Sequence, residues 1–159
     1  LGAARDEKAA LQWHVKAAEQ GNDYSQARLG AMYRDGRGVT LDYQQAFTWF
    51  SKAANRGSTW AQLNLGLLYL QGQGVPQDHA KGIALLQQAA DRNDRDAQYN
   101  LGWVYESGTG VPKDTREAIK WYRKASSRGH TQAGAHLYWL TNADSFWVTL
   151  FRYVGLARW

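Results

Sequence analysis

Apolar positions along the chain recur at helical spacing and, on a longer scale, at a fixed interval of 36 residues. In the stretch from Ala97 to Tyr105, residues Ala97, Leu101 and Tyr105 lie four apart on one helical face. Leu29-Gly30, Leu65-Gly66 and Leu101-Gly102 share one register, as do Tyr33, Tyr69 and Tyr105. The pairs Gly36/Gly38, Gly72/Gly74 and Gly108/Gly110 follow, each leading to Val39, Val75 or Val111. Asp42, Asp78 and Asp114 come next, and later Ala53-Ala54, Ala89-Ala90 and Ala125-Ser126. Trp13, Trp49 and Trp121 occupy another shared slot, with Leu85 in the remaining one. Gly21, Gly57 and Gly129 close the units, Asn93 standing in once. Twelve of the sixteen glycines fall at repeated positions, so their abundance belongs to a repeat architecture.

Each period predicts two helices. Gly102 beside Leu101 lets a neighbouring helix approach closely, at some cost in helix propensity. The Gly-x-Gly loop ends that first helix, since glycine reaches positive φ without steric penalty. Asp42, Asp78 and Asp114 read as N-caps of the second helix, with Gln45 and Glu117 placed three residues on as in a capping box. Pro76 and Pro112 lie just before the cap, where no helical hydrogen bond is lost. Ala118, Trp121, Tyr122 and Ala125 form the apolar face of the second helix, which ends near Gly129. Such a pair buries one face only and needs stacked neighbours.

The pattern A-x-x-x-L-G-x-x-Y, G-x-G-V, D, A-x-x-W and K-A-A resembles the Sel-one-like repeat (SLR), a tetratricopeptide-like unit with a longer interhelical loop. The resemblance implies an all-α, right-handed α/α solenoid of 36-residue helix-turn-helix repeats. On this reading residues 1–159 form a single solenoid domain. A partial repeat spans 8–21, full repeats span 22–57, 58–93 and 94–129, and a divergent cap spans 130–159. Ser25, Gly82, Leu85 and Asn93 depart from the pattern without touching the loop or the Leu-Gly-Tyr helix. Thr131 to Leu140 reads as a fourth first helix, and 145–159 as a shortened second helix crowded with apolar residues.

Composition narrows the function. With 44% apolar, 21% charged and 13% aromatic residues, the 159-residue chain can bury a core. No run of about 18 uncharged apolar residues occurs, so no membrane span is expected. Cysteine is absent, which excludes disulfides, a thiolate nucleophile and thiolate metal sites. The chain opens on Leu1, which implies residues upstream. No Ser-x-x-Lys, Gly-x-Ser-x-Gly or phosphate-loop pattern is present, and the Gly-x-Gly pairs lack the third glycine of a dinucleotide fingerprint. His14, His79, His130 and His136 are scattered and read as surface or cap residues. Asp94 and Asp96 flank Arg95 in what reads as a solvated loop. No enzyme, cofactor or metal is expected.

By resemblance the first helices line the concave surface and bind a partner protein or peptide. Their candidate contact residues are Tyr24, Arg34, Trp60, Leu63, Leu67, Tyr99, Trp103, Glu106 and Trp139, in a strip that also includes Ala27, Ala31, Leu70 and Ala135. Aromatic anchors of this kind dominate interface energetics, yet the same residues can pack between adjacent helices, and the sequence supports both readings. Arg116, Lys120, Arg123, Lys124 and Arg128 form a basic stripe expected on the outward side as a solvated face, with no nucleic-acid role. Trp147, Leu150, Tyr153 and Trp159 offer a second interface, through which a homodimer is expected. Family resemblance implies a bacterial-type adaptor, often exported or envelope-associated. A toxin-blocking immunity protein is the narrower alternative, and a cell-wall-related enzyme the weaker one.

Overall fold

The structure, a computed structural model, describes residues 2–142, with side chains from residue 6 onward. Seven helices run in order: α1 (Gly2–Glu19), α2 (Asp23–Asp35), α3 (Tyr43–Asn55), α4 (Thr59–Gln71), α5 (His79–Asp91), α6 (Arg95–Ser107) and α7 (Thr115–Ser127). An eighth, α8, occupies 131–142, and no strand occurs among the described residues. First helices of the repeat are therefore α2, α4, α6 and α8, and second helices are α1, α3, α5 and α7. The N-terminal helix starts at Gly2 rather than Lys8, because the preceding residues include helix-forming alanines and no Gly-x-Gly stop. The aromatic segment 145–159, with its expected interface at Trp147, Leu150, Tyr153 and Trp159, lies outside the described residues.

Side-chain caps set where each helix begins. Asn22, Ser58, Asp94 and His130 share one register and accept from backbone N–H groups of the first turns of α2, α4, α6 and α8. Asp94 takes Asp96 N–H at 3.0 Å and Ala97 N–H at 2.8 Å. The solvated-loop reading of Asp94-Arg95-Asp96 is thus corrected: Asp94 is a cap, and Arg95 and Asp96 open the helix. Asp42 and Asp114 each cap two N–H groups, and Asp78 caps Lys81. The reciprocal half of the capping box is missing. The cap N–H groups go instead to the first-helix tyrosines, Asp42 to Tyr33 at 2.9 Å, Asp78 to Tyr69 at 3.0 Å and Asp114 to Tyr105 at 2.9 Å. Glu117 pairs with Lys120. This backbone bond across the loop recurs in all three repeats and fixes where the second helix starts relative to the end of the first.

Nine glycines and Asn93 have positive φ among the described residues, and two of these positions show what it requires. Gly74 has φ +68, and a Cβ there would lie 2.2 Å from the Tyr43 carbonyl oxygen at the start of α3. Asn93, which replaces the closing glycine, has φ +68 and is the residue type that tolerates it best after glycine.

The chain divides into compact units Leu1–Ala97 and Gln98–Trp159. In the first, Ala27, Ala46, Phe50, Ala53, Ala61, Leu65 and Leu68 form a buried cluster bordered by Tyr33, Phe47, Trp60 and Tyr69. In the second, Ala118, Tyr122, Ala125 and Ala133 are buried, with Tyr99, Tyr105, Leu137 and Leu140 packed around them. The helix-interior glycines allow this closeness. A Cβ on Gly30 would stand 2.6 Å from the Phe50 ring, and one on Gly102 would stand 2.6 Å from Tyr122. Gly82, which departs from Ala46 and Ala118, has its own cause: a Cβ there would meet the buried Leu70 at 2.7 Å. Arg92 donates to the Gly57 carbonyl at 2.7 Å, tying together the closing turns of two repeats.

Candidate partner-binding surface on the first helices

In the N-terminal unit, α2 and α4 sort the expected strip into covered and open residues. Leu63 and Leu70 are buried, and so is Ala27, which belongs to the core cluster. These three therefore serve packing, the use that helical spacing alone could not separate from binding. Trp60 is half-buried, edge-on to Phe50 with ring centroids 6.1 Å apart, and Leu67 is partly exposed. Tyr24 stands 63% exposed. Arg34 is half-buried and engaged: its guanidinium pairs with Asp35 at 2.7 Å and donates to Asn64 on the next first helix.

A cleft of about 250 Å³ opens beside these residues, lined by α1, α2 and the Trp60 side chain. Its charged groups are Glu7, Arg28, Arg34, Asp35 and Arg37, of which Arg37 pairs with Glu7 at 3.2 Å. Arg28 lies between two aromatic rings, 6.0 Å from Tyr24 and 5.9 Å from Trp60. His14 Nδ1 is 3.3 Å from the Ser25 hydroxyl oxygen. Burial, and secondarily the Arg28 charge, hold the His14 imidazole below the ordinary histidine value. Arg28 is not an apolar position, so apolar spacing does not single it out, and His14, expected at the surface, is half-buried. The available signal was Arg28, Asn64, Asn100 and His136, a register polar in every repeat.

In the C-terminal unit, Trp103 is 43% exposed and Trp139 is 59% exposed, with Tyr138 beside it at 63%. Tyr99 is half-buried and stacks on His130, centroids 4.3 Å apart. Glu106 is occupied internally. Its carboxylate accepts from the buried Tyr122 hydroxyl at 2.5 Å and lies 2.9 Å from His136 Nδ1. Burial first, then the bond and charge of Glu106, push the Tyr122 hydroxyl far above the ordinary tyrosine range. A carboxylate–histidine pair can serve proton transfer, but here no hydroxyl bonds to His136 among the described residues, and Tyr99 and Tyr122 rings flank it. The group satisfies a buried phenol.

The basic stripe on α7 is exposed, and Lys120 pairs with Glu117. Lys124 lies 3.9 Å from the centroid of Trp121, a contact repeated by Lys52 over Trp49 at 4.2 Å and Lys16 near Trp13 at 5.8 Å. These three second-helix tryptophans each have a lysine of the same helix beside the ring, although Trp13 is still 74% exposed. Among the described residues no three His, Asp or Glu side chains converge to hold a metal ion, and no helix is long and apolar enough to cross a membrane.

The repeat geometry matches a known family. The Sel1 repeat profile matches residues 1–22, 23–58, 61–94 and 95–130, and the chain belongs to that family. A Sel1 repeat protein from Oxalobacter formigenes is 39% identical with a TM-score of 0.78, over 87% of this chain and 58% of that one. The protein c5321, a protective antigen of uropathogenic Escherichia coli strains with an SLR fold, is 36% identical with a TM-score of 0.79, over 84% of this chain and 28% of that one. Cysteine rich protein B of Helicobacter pylori is 28% identical with a TM-score of 0.64, over 84% and 96% of the two chains. The chain therefore spans 58% and 28% of the lengths of the first two. No curated protein matches it. Proteins of this family are in general protein-interaction modules and non-enzymatic scaffolds, and the α/α solenoid is the architecture they share with this chain.

Proposed function

We propose that the protein is a non-enzymatic adaptor that binds a partner protein or peptide through the exposed side chains of its first helices. The observation that carries this reading is the placement of the exposed large apolar residues. Tyr24, Trp103, Tyr138 and Trp139 lie on first helices, and only Trp13 and Leu41 lie elsewhere among the described residues. A solvated scaffold gains nothing by exposing tryptophan, whereas an interface gains rigid contact area at small entropic cost. Tyr24, Trp60 and Leu67 serve in the N-terminal unit, and Tyr99, Trp103 and Trp139 in the C-terminal unit. Arg34 and Glu106 hold the framework behind them, and Leu63 packs beneath.

The test is capture from the native cell with the whole chain as bait. Trp103→Ala and Trp139→Ala should each weaken retention of the captured partner at least tenfold, as the loss of an interface hot spot does. Lys52→Ala on a second helix should leave it unchanged. Full retention by both tryptophan variants, with melting curves like wild type, would contradict the reading.

A further inference from the structure

The outward face of α7 differs in charge from the same face of the other second helices. Residues 113–128 hold six Lys and Arg against Asp114 and Glu117, so four of the chain's five net positive charges lie in this one segment. The matching segment 41–56 has Lys52 and Arg56 against Asp42, and 77–92 has Lys81 and Arg92 against Asp78 and Asp91. Where α7 carries Lys120, Arg123 and Lys124, α3 carries Thr48, Ser51 and Lys52, and α5 carries Ala84, Gln87 and Gln88. Outward placement alone therefore does not call for the charge.

Helix stability does not call for it either. Arg116, Lys120 and Lys124 stand four apart, a spacing at which like charges repel. Arg116 lies in the first turn of α7, where the helix dipole disfavours a cation. Glu117 offsets one of these charges by pairing with Lys120. Arg116, Lys120, Arg123 and Lys124 are all exposed. A pattern that costs the helix stability points to something met outside the fold.

The shape of the face selects among anionic ligands. Ala118, Tyr122 and Ala125 turn the other side of α7 into the core, where the Tyr122 ring meets Tyr99 of α6 and His136 of α8. On the exposed side a hollow of about 340 Å³ lies beside Trp121, rimmed by Lys120, Arg123 and Lys124, and every residue that lines it belongs to α7. Trp121 itself is buried, with the Lys124 ammonium over its ring. An acidic peptide would find one wall and no groove, and a nucleic-acid base would find no open ring on which to stack. A flat anionic surface needs neither. It takes a row of cations whose apolar stems lie along the boundary between headgroups and acyl chains.

We infer that the exposed face of α7 docks on an anionic lipid bilayer, with Arg116, Lys120, Arg123 and Lys124 against the headgroup phosphates. The hollow beside Trp121 meets the apolar edge of the headgroup layer. The contact is peripheral, since no helix among the described residues is long and apolar enough to cross a membrane. Each Lys or Arg close to such a surface strengthens binding about fivefold. The face points away from α6 and α8, so the inference stands apart from the first-helix partner reading.

The test is co-sedimentation of the whole chain with vesicles of equimolar phosphatidylcholine and phosphatidylglycerol, compared with vesicles of phosphatidylcholine alone. The mixed vesicles should bind at least about tenfold tighter, and added salt should weaken that binding. Arg123→Gln with Lys124→Gln gives α7 the side chains that α5 carries at the same register, so the melting curve should stay close to wild type. Affinity for the mixed vesicles should fall at least about tenfold. Arg116→Gln with Lys120→Gln should do the same while leaving Lys124 over Trp121. Lys16→Gln with Lys52→Gln removes two lysines in the register of Lys124 on α1 and α3, and should change affinity less than about twofold. Trp103→Ala should leave vesicle binding unchanged. Equal binding to both kinds of vesicle overturns the inference, and so does a loss from the Lys16 and Lys52 pair as large as that from either α7 pair. Loss of vesicle binding in Trp103→Ala overturns the placement on α7. Absence of vesicle binding overturns the inference outright, including the case where poly-glutamate or duplex DNA binds instead.

Discussion

In the N-terminal unit Arg34 donates to Asn64 of the next first helix, while in the C-terminal unit Glu106, at the same register, meets His136. Both contacts join residues 30 positions apart, so one backbone geometry carries opposite charges. The difference follows the residue packed behind. Phe50 asks nothing of its neighbour, and Arg34 turns to Asp35 and Asn64. Tyr122 occupies the equivalent slot with its side chain fully buried, and its hydroxyl needs an acceptor that Glu106 supplies. The intermediate repeat solves the problem differently, with Leu70 filling the space that Gly82 leaves. The repeat thus fixes the backbone and the glycines, while register 34 is tuned to its own second helix.

The shared part of that comparison should break hardest. Gly30→Ala and Gly102→Ala each drive a methyl group into an aromatic ring, and each should cost about 3 kcal/mol in chemical denaturation. Similar losses in both units are expected; tolerance of either substitution would show that the close approach is not required.

The unshared part should separate the units. Glu106→Leu leaves the Tyr122 hydroxyl buried without its acceptor and should cost about 2 kcal/mol, whereas Arg34→Leu should cost less than about 1 kcal/mol. Adding Tyr122→Phe to Glu106→Leu should recover at least half of the loss, a coupling that a double-mutant cycle measures directly. Additive effects would contradict the pairing of registers.

A smaller effect distinguishes the same units by pH. The folded chain holds the Tyr122 proton far above the ordinary tyrosine value, which is about 10 when unfolded. Its contribution is therefore complete below pH 10 and is lost as the pH rises beyond it. Melting temperature should fall more steeply above pH 10 in wild type than in Tyr122→Phe, and parallel curves would refute that origin.

Much of the fold was legible because it is written three times. The Leu-Gly-x-x-Tyr and Gly-x-Gly registers placed the first helices and their ends, and Asn93 revealed itself by replacing a closing glycine. What stayed hidden depends on contacts between repeats. Helical spacing put Leu63 and Trp103 on similar footing, but only packing shows Leu63 buried and Trp103 exposed. Likewise Glu106 stands among the candidate partner contacts by register, whereas Tyr122 and His136 engage its carboxylate. Arg28 carries no apolar signal, and its place between the Tyr24 and Trp60 rings depends on packing between repeats.

The claim that first helices carry binding and second helices carry the scaffold is tested most directly by photocrosslinking in the native cell. A benzophenone amino acid would replace Tyr24 or Trp103 on first helices, and Trp13 or Arg123 on second helices. A discrete crosslinked partner should form from the Tyr24 and Trp103 positions and be absent from the other two. A partner captured equally or preferentially at Trp13 or Arg123 would contradict the assignment.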